Sequence, residues 1–363
     1  MAPRNTEWTC VPLSDAINFD RLDSHTYRVN LNENYCIGAV PNGGYVGSCM
    51  LAAASAYLCE RDQPDALTAH FEYPARTSPG PAVIVIEDVK LGRSLLSTVH
   101  LTLWQGGLKP QAPWITPSVS HRVVLAYATY TNLRTFSGIS MPTGYESSPA
   151  AALPEPLPDF GALKTSAGDN AWEEAKLLPG PASGLLNSLR NWHFYLPRGH
   201  PQTPGVLDMW VRAASGERIT QAALPYVADS FPINLHAYLA APELRELLLA
   251  PPSRKRGRRD ASDGRGGEEE EDRDGEGQVE ARQSLWFPTV VMNLEVKTAL
   301  PEDGVEWLAV RVTSKQIRDG RFDLEVQVRD AEGEMVVLSH QIALIMSMER
   351  NTAKRASSTK ASL

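Results

Sequence analysis

Three polar residues in the second half of this 363-residue sequence stand where the first half carries small side chains. Asp229 precedes Ser-Phe-Pro, Thr289 opens a β-branched run, and Gln341 lies in an alternating run near the C-terminal end. When the halves are lined up by pattern, Ala66 falls opposite Thr289, and Ala128 lies near the counterpart of Gln341. A carboxylate can accept a proton, and a hydroxyl and an amide can orient the molecule that releases it. The pattern indicates a polar site in only one half.

The element that must support such a site in the first half is a helix predicted within residues 39–58. The turn Asn42-Gly43-Gly44 leads into small and apolar residues, and no charge follows it before Glu60. A surface helix carries a polar stripe on its outer face, so the missing stripe predicts a helix buried on most sides. Its short side chains allow neighbouring backbone to come close.

Strand patterns follow this helix, and the second half repeats their order weakly. In the first half they cover residues 67–73, 83–89, 97–105 and 121–130. In the second half, residues 228–239 take the place of the helix, which puts Asp229 at its start. Strands are predicted there at 206–212, 289–296, 306–312, 321–329 and 334–346. The repeated order predicts an α+β fold with pseudo-two-fold symmetry.

Composition and motifs argue against several other classes of protein. The chain is 42% hydrophobic and 21% charged with a net charge of -8, so neither nucleic acid nor a membrane surface is an expected partner. We find no G-x-S-x-G elbow, H-E-x-x-H motif, P-loop or Rossmann glycine pattern. The four cysteines lack metal-binding spacing and are predicted to be buried thiols. The sequence therefore predicts neither a metal nor a cofactor.

Two internal segments and the tail fall outside the repeat. Residues 137–184 are rich in Pro, Ala, Gly and Ser and are predicted to link an N-terminal domain (1–136) to a C-terminal domain (185–349). Residues 251–283 contain a basic and an acidic run and predict a disordered charged insertion. We favour a solvated loop there over a nuclear address or a nucleic-acid contact. Residues 350–363 are predicted to form a flexible tail.

Targeting signals favour the cytoplasm. No apolar run is long enough to span a bilayer, and the first residues do not lead into a signal-peptide core. The last residues, Lys360-Ala361-Ser362-Leu363, share only the final leucine with the peroxisomal Ser-Lys-Leu address. Peroxisomal delivery is therefore the less favoured destination.

The whole chain apart from the insertion and the tail resembles the double-hot-dog acyl-CoA thioesterases, the type II bacterial enzyme and its peroxisomal relatives. The features that carry the resemblance are Pro41-Asn42-Gly43-Gly44-Tyr45, residues 67–74, Gly92-Arg93-Ser94, Ala228-Asp229-Ser230 and Ser339-His340-Gln341. The resemblance implies two tandem hot-dog domains, each an antiparallel sheet wrapped round a central helix. It also leaves room for homo-oligomers that pair through their sheets.

A hydrolytic mechanism follows from the same resemblance. In that family an aspartate, a threonine or serine, and a glutamine hold a water, and these roles carry over to Asp229, Thr289 and Gln341. Asp229 would accept the proton of the water while the other two orient it, and no covalent intermediate is required. The implied substrate is an acyl-CoA or another acyl thioester, and no cofactor is needed.

Substrate contacts are predicted at two turns of the first half. Asn42, Gly43 and Gly44 would let the substrate approach the helix start, whose N–H groups can face the developing oxyanion. Arg93 is a candidate for contact with the phosphates of coenzyme A. Chain length and the identity of the acyl group leave no signal in the sequence.

Two alternative functions stay open. Hot-dog hydratases and dehydratases use an Asp and a His, and Asp229 and His236 lie on one predicted helix. At 1.5 Å per residue they are roughly 10 Å apart, too far to share a proton, so hydrolysis is preferred. A non-catalytic acyl-binding protein would keep the fold without needing the acid. Each site residue also has a structural explanation, since Asp can cap a helix and Thr is common in strands.

Overall fold

The computed structural model of the chain describes residues 10–93, 95–175, 185–199, 203–232, 235–241, 244 and 285–352. The predicted charged insertion, 251–283, lies outside these residues. An antiparallel sheet of fourteen strands runs through both halves of the described chain. None of the helices in these ranges is both long enough and apolar enough to cross a membrane.

The first half contributes two helices and eight strands. The helices are α1 (Leu13–Ala16) and α2 (Gly43–Cys59). The strands are β1 (Phe19–Arg21), β2 (Thr26–Leu31), β3 (Cys36–Ile37), β4 (Val40–Pro41), β5 (Asp65–Glu72), β6 (Gly80–Lys90), β7 (Ser97–Gln105) and β8 (His121–Thr131). The predicted helix and the four predicted strands of this half are all present.

The rest of the described chain contributes further helices and strands. The helices are α3 (Phe160–Thr165), α4 (Leu224–Ala228), α5 (Leu235–Leu239) and α6 (Met348–Thr352). The strands are β9 (Trp172–Glu174), β10 (Trp192–Pro197), β11 (Val206–Ala213), β12 (Leu285–Trp286), β13 (Thr289–Val296), β14 (Leu308–Thr313), β15 (Ile317–Arg318), β16 (Arg321–Arg329), β17 (Met335–Leu344) and β18 (Met346–Ser347).

The strand order shows how the halves join. It is β1-β2-β6-β7-β8-β5-β13-β17-β16-β14-β11-β10-β9, and β15 pairs with β16. Strands β5 and β13 form the junction, and outward from it each half continues with corresponding strands. Two small separate pairs, β3–β4 and β12–β18, lie outside the large sheet. The predicted α+β architecture is confirmed, and the antiparallel sheets of the two halves join edge to edge at β5 and β13 into one continuous sheet.

Pseudo-two-fold symmetry is visible in the register of the junction strands. Each carries an irregularity in its pairing, between Ala66 and Thr68 in β5 and between Thr289 and Val291 in β13. The predicted alignment of Thr289 with Ala66 is therefore confirmed.

The same register aligns the closing strands of the two halves. In the first half Ala69 pairs with Ala128, and in the second half Met292 pairs with Gln341. Ala69 and Met292 lie equally far beyond the two irregularities. Gln341 and Ala128 are therefore true counterparts, as the pattern predicted.

Helix α2 is buried on most sides, as its missing polar stripe predicted. Tyr45, Val46, Cys49 and Met50 are all inaccessible to solvent. The helix packs on α4, and a Cβ atom built on Gly44 would lie 2.3 Å from the carbonyl oxygen of Pro225. Only glycine permits so close an approach of the two helices.

The helix predicted at 228–239 is wrong in its extent. Helix α4 ends at Ala228, Asp229 is its C-cap residue, and α5 begins only at Leu235. Asp229 therefore ends one helix and does not begin another, and His236 belongs to a different helix. The reason lies between them, since Pro232 cannot donate a helical hydrogen bond and its ring disfavours helix at the preceding residue.

The predicted linker, 137–184, is more than a connection. Within it, α3 and β9 are formed, and β9 extends the large sheet beside β10. Leu163 and Trp172 from this segment pack with Tyr195, Trp210 and Trp307 in a second hydrophobic cluster. The first three residues of the predicted tail, 350–352, lie in helix α6.

Candidate active site

Asp229 lies where the two halves meet, at the end of α4 and opposite the start of α2. Its Oδ2 accepts the backbone N–H of Gly44 at 2.8 Å, and its Oδ1 accepts the hydroxyl of Thr289 at 2.9 Å. Only 8% of Asp229 is exposed. The carboxylate thus contacts Thr289, a predicted catalytic residue, and Gly44, a predicted binding residue.

Burial determines the protonation behaviour of this carboxyl group. Loss of hydration raises the pKa of Asp229 to about 6, although the Gly44 N–H and the Thr289 hydroxyl both act to lower it. The group is therefore ionised at neutral pH and is a stronger base than an ordinary aspartate.

Gln341 and Asn42 hold the main chain beside this carboxylate. The Nε2 of Gln341 donates to the carbonyl of Ala228 at 2.7 Å, and the Nδ2 of Asn42 donates to the carbonyl of Asp229 at 2.9 Å. Gln341 is 3% exposed, and its Oε1 has no hydrogen-bond partner in the described ranges. Gln341 is thus placed against the backbone of α4, and it contacts neither the carboxylate nor Thr289 by a hydrogen bond.

The first turn of α2 supplies N–H groups to the site. Asn42 is the N-cap, and its Oδ1 accepts the N–H of Tyr45 at 2.9 Å, while Asp229 accepts that of Gly44. The N–H of Gly43 belongs to the same turn and has no acceptor among the residues that the structure describes. The positive end of this helix is thus available beside the carboxylate.

A cavity of about 360 Å³ opens beside Asp229, Thr289 and Gly43. Its polar end also contains Asn42 and Tyr73. The rest of the wall is mostly apolar and comes from both halves, with Ile37, Val40, Leu189, Leu235, Phe287 and Phe322 among its residues. A polar end joined to an apolar chamber suits a ligand with one polar group and a hydrocarbon portion.

Among the described residues, Arg76 and His236 are the basic side chains that line the cavity, and the predicted Arg93 does not line it. Arg93 is exposed in the turn before β7 and does not line this cavity, so its contact with coenzyme A phosphates stays a prediction. Arg76 lines the cavity and donates to the carbonyls of Arg350 and Asn351. His236 lines it from α5, with its ring stacked on Phe287 at a centroid distance of 5.0 Å.

The pseudo-equivalent site of the first half lacks the acid of Asp229, the hydroxyl of Thr289 and the amide of Gln341. The pair Tyr45-Val46 corresponds to Tyr226-Val227, which aligns Ser48 with Asp229. Ser48 is buried, and its hydroxyl has no partner within the described ranges. No group of three His, Cys, Asp or Glu side chains in those ranges is arranged to hold a metal ion.

Comparison with known proteins identifies the class. The chain belongs to the acyl-CoA thioesterase family, because the family models of the N-terminal and C-terminal domains match residues 31–131 and 163–345. It is 64% identical over 350 residues to the thioesterase-like protein TwmA of Talaromyces wortmannii, and the match covers 96% of each chain.

Solved structures agree with this fold. The acyl-CoA thioesterase II TesB2 of Mycobacterium marinum is similar at a TM-score of 0.56 and 16% identity, over 93% of this chain and 98% of that one. A hot-dog protein of unknown function from Alicyclobacillus acidocaldarius is similar at a TM-score of 0.58 and 17% identity, over 92% and 98%. The predicted family and its tandem hot-dog fold are confirmed.

Proposed function

We propose that this protein hydrolyses an acyl thioester with Asp229 as the group that accepts a proton from water. The observation that carries the proposal is the buried Asp229 carboxylate, held by Gly44 and Thr289 at the polar end of an apolar cavity. Each carboxylate oxygen accepts one hydrogen bond from the protein and keeps a second acceptor position. A water bound there would face the cavity.

Proton transfer is favoured by the environment of Asp229. With a pKa of about 6, the carboxylate is ionised above pH 6 and lies close to the pKa that suits a general base at neutral pH. The water loses its proton to Asp229 as its oxygen attacks the thioester carbonyl. The thiolate then leaves and takes up the proton that Asp229 received, which restores the carboxylate, so no covalent enzyme intermediate is needed.

The start of α2 supplies the stabilisation of negative charge. Gly43 lines the cavity beside Asp229, and its N–H is the first-turn donor of α2 without an acceptor in the described chain. A thioester oxygen placed against it would receive a hydrogen bond and the favourable field of the helix as charge develops.

Thr289 and Gln341 take different parts in this proposal. Thr289 orients the carboxylate directly through its hydroxyl. Gln341 fixes the carbonyl of Ala228, the residue before Asp229, and so supports the carboxylate from behind. The water-binding part predicted for Gln341 is replaced by this supporting one.

The acyl portion would occupy the apolar chamber, and its thiol carrier would leave past the polar end. Arg76 lines this cavity, and we propose it in place of Arg93 as the candidate contact for a phosphate. Both coenzyme A and a carrier-protein phosphopantetheine would present a phosphate, so either is a suitable carrier.

The test measures thiol release from acyl-CoA thioesters of graded length by the purified protein. Asp229→Asn should lower kcat at least about 100-fold, because general-base catalysis contributes that much. Asp65→Asn is the matched control, since Asp65 is also buried and accepts a backbone N–H, from Leu133 at 2.9 Å, but does not line the cavity. Equal turnover by the wild type and Asp229→Asn would overturn the proposal. Acyl-CoA binding without thiol release would favour a binding protein, and loss of water from a 3-hydroxyacyl thioester would favour a dehydratase.

A further inference from the structure

A chain of hydrogen bonds passes through the peptide group between Gly43 and Gly44. On one side the hydroxyl of Tyr73 donates to the carbonyl of Gly43 at 3.0 Å. On the other side the N–H of the same peptide, that of Gly44, donates to Asp229 at 2.8 Å. One peptide group therefore connects the phenol to the carboxylate.

This peptide needs an external restraint. Glycine stands on both sides of it, and glycine limits backbone rotation least. Side chains cannot take over the task, because a Cβ on Gly43 would lie 3.1 Å from the Asp229 carboxylate and 3.3 Å from the Tyr73 ring. On Gly44 it would meet the carbonyl oxygen of Pro225 at 2.3 Å. Hydrogen bonds at its two ends must therefore help to fix the orientation of the peptide.

Tyr73 is well placed to act as that restraint. It follows β5, its N–H donates to the carbonyl of Val290 at 3.0 Å, and its ring stacks on Phe71 at a centroid distance of 6.2 Å. Burial and the nearby Asp229 carboxylate raise the pKa of Tyr73 well above its ordinary value. Its hydroxyl therefore stays protonated and remains a donor.

Polarisation gives the restraint a chemical effect. A hydrogen bond to a carbonyl strengthens the N–H of the same peptide as a donor, because the two act cooperatively. We infer that Tyr73 is a positioning residue, which fixes the Gly43–Gly44 peptide and strengthens the hydrogen bond that Asp229 receives from it. This inference rests on the proposed function for its kinetic consequences, but its effect on the Asp229 carboxylate does not depend on turnover.

The test compares Tyr73→Phe with Tyr130→Phe. Tyr130 is a matched control, because its buried hydroxyl donates at 2.8 Å to the carbonyl of Leu51, in the same helix but away from Asp229. Tyr73→Phe removes the hydrogen bond to the Gly43 carbonyl and so weakens the one that Asp229 receives from Gly44. The acid limb of the kcat/KM profile should therefore move upward by about half a pH unit. The plateau of kcat should fall about threefold to tenfold with little change in KM. Tyr130→Phe should show neither change.

The effect of Asp229 on the pH profile must be distinguished from the effects of the other ionisable side chains at the cavity. These are Arg76, from the loop after β5, and His236, from α5. The same shift caused by Tyr73→Phe should therefore persist in a His236→Gln background. An acid limb that does not move in Tyr73→Phe would overturn the inference.

A direct titration keeps the inference testable if no thioester is cleaved. The carboxyl ¹³C resonance of Asp229, assigned with Asp229→Asn, reports its pKa without substrate. Tyr73→Phe should raise that pKa, and Tyr130→Phe should leave it unchanged. An inactive wild type in which Tyr73→Phe still raises the pKa would refute hydrolysis and retain the positioning role. An unchanged pKa in Tyr73→Phe would refute the role itself.

Discussion

Replacing Asp229 with asparagine should stabilise the fold at neutral pH while it removes catalysis. The pKa of Asp229 rises from an ordinary 3.8 to about 6 on folding, chiefly because the carboxyl group loses its hydration. An acid with a raised native pKa binds its proton more tightly in the folded state. Its contribution is therefore fully present below about pH 4 and is lost as the pH rises through 6.

The size of the effect follows from that pKa difference. About two pKa units correspond to about 3 kcal/mol of unfolding free energy lost by the wild type above pH 7. Asparagine cannot ionise, and it can still accept the Gly44 N–H and donate to the hydroxyl of Thr289. With a melting entropy typical of a chain of 363 residues, the variant should melt about 4 °C higher.

Thermal unfolding of the wild type, Asp229→Asn and Asp65→Asn between pH 4.5 and pH 8 checks this prediction. The melting temperatures of the wild type and Asp229→Asn should converge at the acid end and separate as the pH rises through 6. Asp65→Asn should show no such divergence. If Asp229→Asn were less stable than the wild type at every pH, the carboxylate would serve mainly as a structural cap, and the reasoning would be refuted.

Three further substitutions test the surroundings of the site. Thr289→Val removes a hydroxyl that lowers the pKa of the carboxylate, so the acid limb of the pH–rate profile should move upward and kcat should fall about tenfold. In urea unfolding, Gly44→Ala should destabilise the protein by several kcal/mol through its backbone clash, whereas Gly47→Ala, whose nearest neighbours lie 3.3 Å away, should be tolerated. Asn351→Ala should lower the free energy of unfolding by about 2 kcal/mol, because the buried amide of Asn351 bonds the backbone of residues 37 and 39. Thr352→Ala should lower it little, because the hydroxyl of Thr352 bonds a carbonyl of its own helix.

Sequence patterns were most informative for strands with one buried face. The bounds of β7, β13 and β16 agree with the predicted ones, since alternation records directly which side chains face the core. The buried helix α2 was equally visible, because it lacks a polar stripe. The approach of Thr289 to Asp229 could be predicted only through the family resemblance, since nothing in the spacing of the two residues brings them together.

The sequence is less informative about features that depend on tertiary contacts, such as which side chains reach the cavity. Alignment of Tyr226-Val227 with Tyr45-Val46 of α2 places Pro232 shortly after α4, and this proline indicates the break in the helix. Tyr73 lies in the stretch 67–74 without any pattern that indicates its role, and Arg76 follows that stretch; both reach the cavity because β5 pairs with β13 across the junction. The placement of Gln341 against the carbonyl of Ala228 depends on how α4 lies over β17, which no local pattern records.

Comparison of the two pseudo-equivalent sites explains why a hydrogen-bonded acid is present at one of them and absent from the other. The contact between the N–H of Gly44 and Asp229 has Pro225 and Ser48 as its pseudo-equivalents. Proline has no N–H to donate, and serine carries no carboxylate. A carboxylate in the position of Ser48 would be buried without its donor, which is unfavourable. The absence of the donor and the absence of the acid are therefore mutually consistent, and in the described residues both groups are present beside the cavity that contains Asp229.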